Sequence, residues 1–302
     1  MSTNTFVVAT TVEEAVRAMA AGARPVAGGT DLIVGSRQGK APLPDSLVAI
    51  HGVEELRGIM PNDDGGLRIG ALATHEELVL HPVIRERFTA LADAAAIVGS
   101  HATRAQGTIG GNLMNASPAM ETGGPLVCFD AAVTLCSEHG SRRLPVADLV
   151  AGPGETTADP SELLAFVDLP PAGDGAGSCY LRLEYRRQME IAVVGATAAV
   201  RLAGGRVAEA RIAITALAPT IGRVPEAEAA LVGSDGGRED AETAARAAAA
   251  AAAPISDVRA SADYRRAMAI VIARRAVEAA VARARGEVVS IPAGSAPHVG
   301  TP

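Results

Sequence analysis

The sequence has 302 residues, of which 48% are hydrophobic but only 2% aromatic, and its formal net charge is −7. The scarcity of aromatic rings and of clustered basic residues excludes stacking platforms and phosphate-tracking surfaces for nucleic acid. The opening MSTNTFVVATTVEEAV has glutamates where a secretory signal needs basic residues, and no long uncharged apolar run occurs. We therefore expect a cytoplasmic protein that binds neither nucleic acid nor a membrane.

Residues 5–60 alternate strand-like and helix-like segments. TFVVA, RPVA and DSLVAI are short apolar runs typical of strands. Thr11 can cap the helical segment TVEEAVRAMAAG, which has glutamates in its first turn and Gly22 at its end. A second helix is predicted for TDLIVGSRQG. This pattern predicts a small α/β unit.

Residues 61–170 contain the same signals in longer blocks. Strands are predicted for GLRIGAL, AAVTLC, SRRLPV and ELLAFVDLP, and helices for THEELVLHPVIRERF and TALADAAAIVG. The stretch GTIGGNLMNASPAMET (107–122) predicts neither helix nor strand, because Gly, Asn and Pro break both periodicities. The segment PPAGDGAG (170–177) is rich in Pro and Gly and predicts a domain boundary.

The last part of the chain combines strands with helices. SCYLRLEYR, IAVVGATAAVRL and RVAEARIAITAL read as strands, and the Gly204-Gly205 turn predicts a hairpin between the second and third. Helices are predicted for 225–232, 238–252 and 262–284. The alanine run within the second of these favours helix, since alanine is the best helix former.

The cysteines and histidines do not form a recognisable site. Cys128, Cys136 and Cys179 lack Cys-x-x-Cys spacing, so we expect reduced thiols, no metal site, and any iron–sulfur cluster on another chain. No catalytic residue is predicted. Five histidines have no partner pattern and are expected at the surface or in loops: His51, His75, His81, His101 and His139.

Two Gly-Gly pairs stand out, in PVAGGTDL (25–32) and GTIGGNLMNASP (107–118). Glycine lets a ligand approach the backbone closely, and converging N–H groups bind anions, especially before a helix. Neither pair follows the Rossmann or Walker spacing. Each alone reads most simply as a tight turn. Together they suit a long ligand that contains a diphosphate.

PVAGGTDLIVGSRQG and TIGGNLMNASPAME resemble the two flavin-binding stretches of the FAD-carrying medium subunit of the molybdenum hydroxylases, the xanthine dehydrogenase and carbon monoxide dehydrogenase family. YLRLEYRRQMEIAVVGATAAV and PISDVRASADYRRAMAIVIARRAVEAA resemble later family segments. The resemblance covers nearly the whole chain. It implies an α+β fold: a two-lobed FAD-binding domain of the vanillyl-alcohol-oxidase type (1–55 and 56–174), then a C-terminal domain of three-stranded antiparallel sheet plus helices (175–290). A disordered tail (291–302) is expected after it.

The resemblance also implies the residues that bind FAD. The backbone amides of the first loop would hold phosphate oxygens, and those of the second loop would add further donors. The expected FAD-binding residues are Ala27, Gly28, Gly29, Thr30, Asp31, Leu32, Thr108, Ile109, Gly110, Gly111, Asn112, Asn115, Ser117, Glu121, Arg182 and Ile191.

Several of these positions need separate comment. The Asp31 carboxylate would repel phosphate, so we expect it to cap local amides instead. Glu121, at a position associated with the adenosine end of FAD, and Glu190 stand where the family usually has Asp. Ile191 matches a residue packed near the isoalloxazine, and Arg182 stands where some relatives have Lys near the flavin. Arg104 is expected to brace the second loop rather than to contact phosphate.

The resemblance implies an electron-transfer subunit that carries FAD. A molybdenum-cofactor large subunit and a [2Fe-2S] small subunit would be its partners, in a dimer of heterotrimers, with the electron acceptor unknown. Two alternatives remain open. One is a self-contained FAD oxidase or dehydrogenase of the vanillyl-alcohol-oxidase type. The other is a scaffold subunit without flavin.

Overall fold

The computed structural model describes residues 5–39, 41–186 and 188–294. It has the predicted mixture of helix and sheet, with a three-stranded, a five-stranded and a four-stranded sheet and one two-stranded ribbon. Within these described ranges, no helix combines the length and apolar character that a bilayer crossing requires.

The first lobe is a small parallel sheet with one helix packed on it. Its elements are β1 (Thr5–Val8), α1 (Val12–Ala20), β2 (Arg24–Val26), α2 (Leu32–Arg37) and β3 (Ser46–Ala49). β3 lies between β1 and β2, and both pairings are parallel. The Thr11 hydroxyl accepts from Glu14 N–H at 3.2 Å, so the predicted cap of α1 is confirmed. Buried Ala15, Val16 and Met19 of α1 belong to the core of this lobe.

The second lobe is an antiparallel sheet covered by short helices. A 3-10 turn (Glu54–Leu56) precedes it. Its strands are β4 (Ile59–Pro61), β5 (Leu67–Gly70), β6 (Ala132–Ser137), β7 (Gly140–Pro145) and β10 (Leu163–Leu169), with the ribbon of β8 (Val150–Gly152) and β9 (Glu155–Thr156) beside it. Its helices are α3 (His75–Leu80), α4 (Pro82–Arg87), α5 (Thr89–Ala96), α6 (His101–Arg104), α7 (Ile109–Met114), α8 (Gly123–Cys128) and α9 (Val146–Leu149). The spatial order β4-β5-β10-β6-β7 brings distant parts of the chain together.

One predicted helix is two. THEELVLHPVIRERF divides into α3 and α4 because His81 has extended backbone, with φ −68° and ψ 122°. The residue before a proline avoids the helical region, since the proline ring collides with its backbone. Pro82 then starts α4, where its missing N–H costs no hydrogen bond.

The prediction that 107–122 contains no helix is wrong for Ile109–Met114, which form α7. Thr108 is the N-cap of this helix, and its hydroxyl accepts from Gly111 N–H at 3.1 Å. Tertiary contacts override the low helix propensity of the two glycines here. A second helix, α8, begins at Gly123, just after the stretch.

The C-terminal domain packs helices on an antiparallel sheet. Its elements are β11 (Ala176–Leu183), β12 (Val194–Ala203), β13 (Arg206–Thr215), β14 (Gly222–Arg223), α10 (Pro225–Ala229), α11 (Arg238–Ala250) and α12 (Ala262–Ala284). The predicted hairpin at Gly204-Gly205 is confirmed by the pairing of Ala203 with Arg206. The sheet has a fourth strand, β14, which the sequence analysis missed because it is only two residues long. A Cβ on Gly177 would lie 2.3 Å from Ala280 O of α12, so glycine allows this close packing.

A buried ion pair joins the second lobe to the C-terminal domain. Asp93 of α5 is fully buried, and Arg283 of α12 donates to it at 2.6 and 3.0 Å. Burial raises the pKa of the Asp93 carboxyl, and Arg283 opposes this shift. Ala293 N–H also donates to Asp93 at 3.0 Å, which holds the chain after α12 against this junction. Residues 295–302, the rest of the predicted disordered tail, lie outside the described residues.

Candidate functional site

The two Gly-Gly loops meet in the structure. A Cβ on Gly28 would lie 1.8 Å from the carbonyl oxygen of Gln106, just before the second loop. A Cβ on Gly107 would in turn lie 3.4 Å from Thr30 Oγ1. Backbone therefore lies against backbone where the first and second lobes meet, and only glycine permits this at position 28.

The first loop has free backbone donors. No described residue accepts a hydrogen bond from the N–H of Gly28, Gly29 or Thr30. These three successive groups precede α2 and are half-buried. Backbone N–H groups arranged in this way are suited to hold an anion.

Asp31 differs from the expectation that its side chain caps local amides. It stands at the N-cap of α2, and within the described chain it makes no side-chain capping hydrogen bond to that helix. The reason is its backbone, which is helical at φ −94° and ψ −45°. A capping side chain normally needs an extended backbone to reach the helix amides.

The amides of the second loop are already bonded within the protein, in contrast to the expected cradle. The bonds are Ile109 N–H to Ala73 O (2.9 Å), Gly110 N–H to Ala71 O (3.0 Å), Gly111 N–H to Thr108 Oγ1 (3.1 Å) and Asn112 N–H to Thr108 O (2.9 Å). Gly110 has a packing role, since a Cβ there would lie 2.7 Å from the Ala71 Cβ. The first loop contacts the residues just before the second loop, Gln106 and Gly107.

His75 is buried next to Gly107, just before the second loop. This corrects the prediction that it lies at the surface or in a loop. It is the first residue of α3, is 2% exposed, and donates its backbone N–H to Gly107 O at 3.0 Å. Burial lowers the pKa of its imidazole to about 4, and nearby Arg104 adds to the shift. Arg104 donates to Val98 O at 3.1 Å and lies 3.0 Å from His101 Nδ1, so its side-chain bonds hold the segment that precedes the second loop.

The contribution of His75 to the stability of the fold should decrease as the pH is lowered. The unfolded chain protonates this imidazole below about pH 6.5, whereas the folded chain does so only near pH 4. The stabilisation is therefore complete above pH 6.5 and is lost as pH falls toward 4. Between pH 7 and pH 5 the His75 contribution to the free energy of unfolding should fall by about 2 kcal/mol, a slope measured by urea denaturation; the Glu121 carboxyl, whose pKa is raised to about 7, contributes in the opposite direction and is common to the wild type and both variants. His75→Gln should remove this slope, and exposed His139→Gln should retain it; equal slopes in all three proteins would contradict the prediction.

Polar side chains continue from the second loop toward the C-terminal domain. Thr122 donates its hydroxyl to Asn112 Oδ1 at 2.6 Å, which ties α7 to the residue after Glu121. The Ser117 hydroxyl accepts from Ala119 N–H at 3.2 Å, and Asn115 is exposed at the end of α7. Of the predicted polar residues, Asn112 and Ser117 therefore make hydrogen bonds within the protein.

Glu121 and Arg182 form an ion pair at the junction of the two domains. Arg182 Nη1 donates to Glu121 Oε1 at 2.6 Å and to Glu190 O, beside Ile191, at 3.2 Å. Arg182 Nε donates to Glu184 Oε2 at 2.6 Å. Arg182 Nη2 is buried without a partner among the described residues. The sequence analysis missed Glu184, although its spacing of two from Arg182 along a strand places both on one face.

This ion pair is incompatible with holding both of two expectations taken from the resemblance. Glu121 was expected at the adenosine end of an extended FAD, and Arg182 near the flavin ring. Their charged groups are 2.6 Å apart, which is too close for two residues at opposite ends of an extended ligand. Arg182 also bonds the residue before Ile191, so the group Glu121, Arg182 and Ile191 is one unit.

The FAD binding domain in molybdopterin dehydrogenase matches residues 2–172, and the CO dehydrogenase flavoprotein C-terminal domain matches residues 180–280. This chain belongs to the FAD-binding medium subunits of the molybdenum hydroxylases. It is 33% identical over 286 residues to the 6-hydroxypseudooxynicotine dehydrogenase complex subunit alpha of Paenarthrobacter nicotinovorans, covering 93% of this chain and 95% of the relative. It is 29% identical over 266 residues to the xanthine dehydrogenase FAD-binding subunit of Escherichia coli O157:H7, covering 88% and 91%.

A solved structure is similar over almost the same length. Carbon monoxide dehydrogenase from Hydrogenophaga pseudoflava matches with a TM-score of 0.88 and 32% identity, over 92% of this chain and 97% of that one. The chain is thus an oxidoreductase subunit whose cofactor is FAD. Its residues fit that cofactor. The first loop offers N–H groups without a partner among the described residues, next to the contact of Gly28 with Gln106, and Arg182 Nη2 is a buried donor without such a partner.

Proposed function

We propose that this FAD-binding subunit is the electron-transfer flavoprotein of a three-component hydroxylase. A large subunit with molybdenum cofactor oxidises the substrate, and a small subunit with [2Fe-2S] clusters relays electrons one at a time. FAD supplies the chemistry that collects two electrons and passes them to an acceptor. The names of the relatives, which include a dehydrogenase complex subunit, support this division of labour. The assembly is proposed to be a dimer of heterotrimers.

The observation that carries the proposal is the close backbone contact between Gly28 and Gln106. At this contact the unpaired N–H groups of Gly28, Gly29 and Thr30 lie in the loop that meets Gln106 and Gly107, the residues that lead into the second loop. We propose that these amides hold the diphosphate of FAD, with Ala27 and Leu32 flanking the loop. The two lobes then correspond to those of the vanillyl-alcohol-oxidase type.

The other end of the cofactor is proposed to lie toward the domain junction. Arg182 Nη2 is a buried cationic donor with no partner among the described residues, and reduced flavin carries negative charge that a cation stabilises. Ile191 is 46% exposed beside it and offers an apolar surface for a ring. Asn112, Asn115 and Ser117 are proposed to contact the part of the cofactor between these two ends.

The test separates this function from its two alternatives. The chain is purified alone and with its partner subunits, the flavin is identified after acid release, and flavin bleaching is followed after mixing with dithionite-reduced iron–sulfur partner. We expect about one FAD per chain, rapid bleaching by the reduced partner, and no oxidation of substrates by the chain alone. Substrate turnover by the isolated chain would establish a self-contained oxidase, and a colourless complex would establish a scaffold.

A further inference from the structure

Three charged side chains meet in the domain junction around Arg182. Its side chain is 1% exposed, and its guanidinium contacts Glu121 and Glu184, both at 2.6 Å. The two carboxylates differ in burial, since the Glu121 side chain is 10% exposed and that of Glu184 is 23% exposed. Two acids therefore share one cation, and the cluster has an excess negative charge when both are ionised.

An excess charge in a buried cluster favours uptake of a proton. Removal from water disfavours the ionised form of a carboxyl, and a second carboxylate nearby adds to this effect. Both effects act on Glu121, the more buried acid. Burial raises the pKa of Glu121 to about 7, Arg182 opposes the shift, and Glu184 adds to it.

The other groups that face Glu121 do not supply a second cation. Tyr180, on the same strand as Arg182, is buried and neutral, because burial raises the pKa of its phenol well above the usual value. Glu190 faces the cluster through its carbonyl oxygen, and its carboxylate accepts from Ile191 N–H and lies 3.6 Å from Arg186. In the part of the chain that the structure describes, Arg182 is thus the cation paired with Glu121.

We propose that Glu121 takes up a proton from solvent when the bound FAD gains two electrons, so that the buried charge at this junction stays balanced. The inference rests on the proposed function and deepens it. The electrons come from the iron–sulfur partner, or from an electrode through mediator dyes. The proton moves to Glu121 Oε2, because Oε1 accepts from Arg182, and the cluster changes from one excess negative charge to none.

The test is the pH dependence of the FAD midpoint potential in the FAD-loaded chain, measured by mediated spectroelectrochemistry from pH 5.5 to 8.5. For a two-electron couple, each linked proton shifts the potential by about 30 mV per tenfold change in proton activity. We expect the wild-type potential to have one additional linked proton per two electrons above pH 7, and Glu121→Gln to lose that proton. Infrared difference spectra should show a protonated carboxyl band on reduction that Glu121→Gln lacks.

A second variant keeps the proposal falsifiable if Glu121→Gln fails to fold. Glu184→Gln removes the neighbouring carboxylate but keeps Glu121. The pH above which the additional linked proton appears should therefore move to a lower value, while the protonated carboxyl band remains. The proposal would be overturned if the midpoint potential depended equally on pH in the wild type and the variants, or if the variants differed from the wild type by the same number of millivolts at every pH. A wild-type chain and complex without FAD would instead overturn the proposed function.

Discussion

Gly28→Ala is expected to weaken FAD binding by about 10- to 100-fold, which corresponds to about 1–3 kcal/mol. An alanine Cβ would lie 1.8 Å from Gln106 O, a distance that no relaxed structure contains. The atom it meets is backbone, so the two loops must separate. In the bound state this separation moves the N–H groups of the first loop away from the position that holds the diphosphate.

The measurement is the affinity of the deflavinated chain for added FAD, followed by the quenching of flavin fluorescence. Gly35→Ala is the matched control, since it lies on α2 in the same lobe and its Cβ would meet no atom within 4 Å. Thermal unfolding without FAD shows whether the lobe remains folded. Equal affinity for FAD in both variants would show that the contact between Gly28 and Gln106 has no part in FAD binding.

Asp93→Asn is expected to lower the free energy of unfolding by about 3–5 kcal/mol, because it leaves the Arg283 guanidinium buried without a charged partner. The pair is closed to water, with side-chain exposures of 0% for Asp93 and 7% for Arg283. Arg283 also donates to Ser178 O and Ser290 O, so its position fixes the start of the C-terminal sheet and the chain after α12. The loss should therefore appear first as separation of the C-terminal domain from the second lobe.

Urea denaturation of the complete chain measures this loss, and limited proteolysis detects separation of the domains. Glu209→Gln is the control, since it breaks the exposed cross-strand pair with Arg201 and should cost less than about 1 kcal/mol. A similar small effect for Asp93→Asn would mean that the junction is held by apolar packing rather than by this pair.

Much of the fold follows from local patterns in the sequence. The helix at Ala262–Ala284 and the hairpin at Gly204-Gly205 have strong local signals, namely a long helix-forming segment and a turn between two apolar strands. Helix α7 has no such signal. It forms because Thr108 caps it and because its first two amides bond to the backbone at Ala71 and Ala73, which are distant in sequence.

The site divides in the same way. The sequence by itself determined the family, the cofactor and the two glycine loops, because a glycine that allows close backbone approach is a local property of the chain. Only the tertiary structure decided that Gly28 rests against Gln106, that His75 is buried beneath the second loop, and that Arg182 binds Glu121 and Glu184. These contacts join segments far apart in sequence, and burial and charge pairing depend on which segments meet rather than on the residues of any one of them.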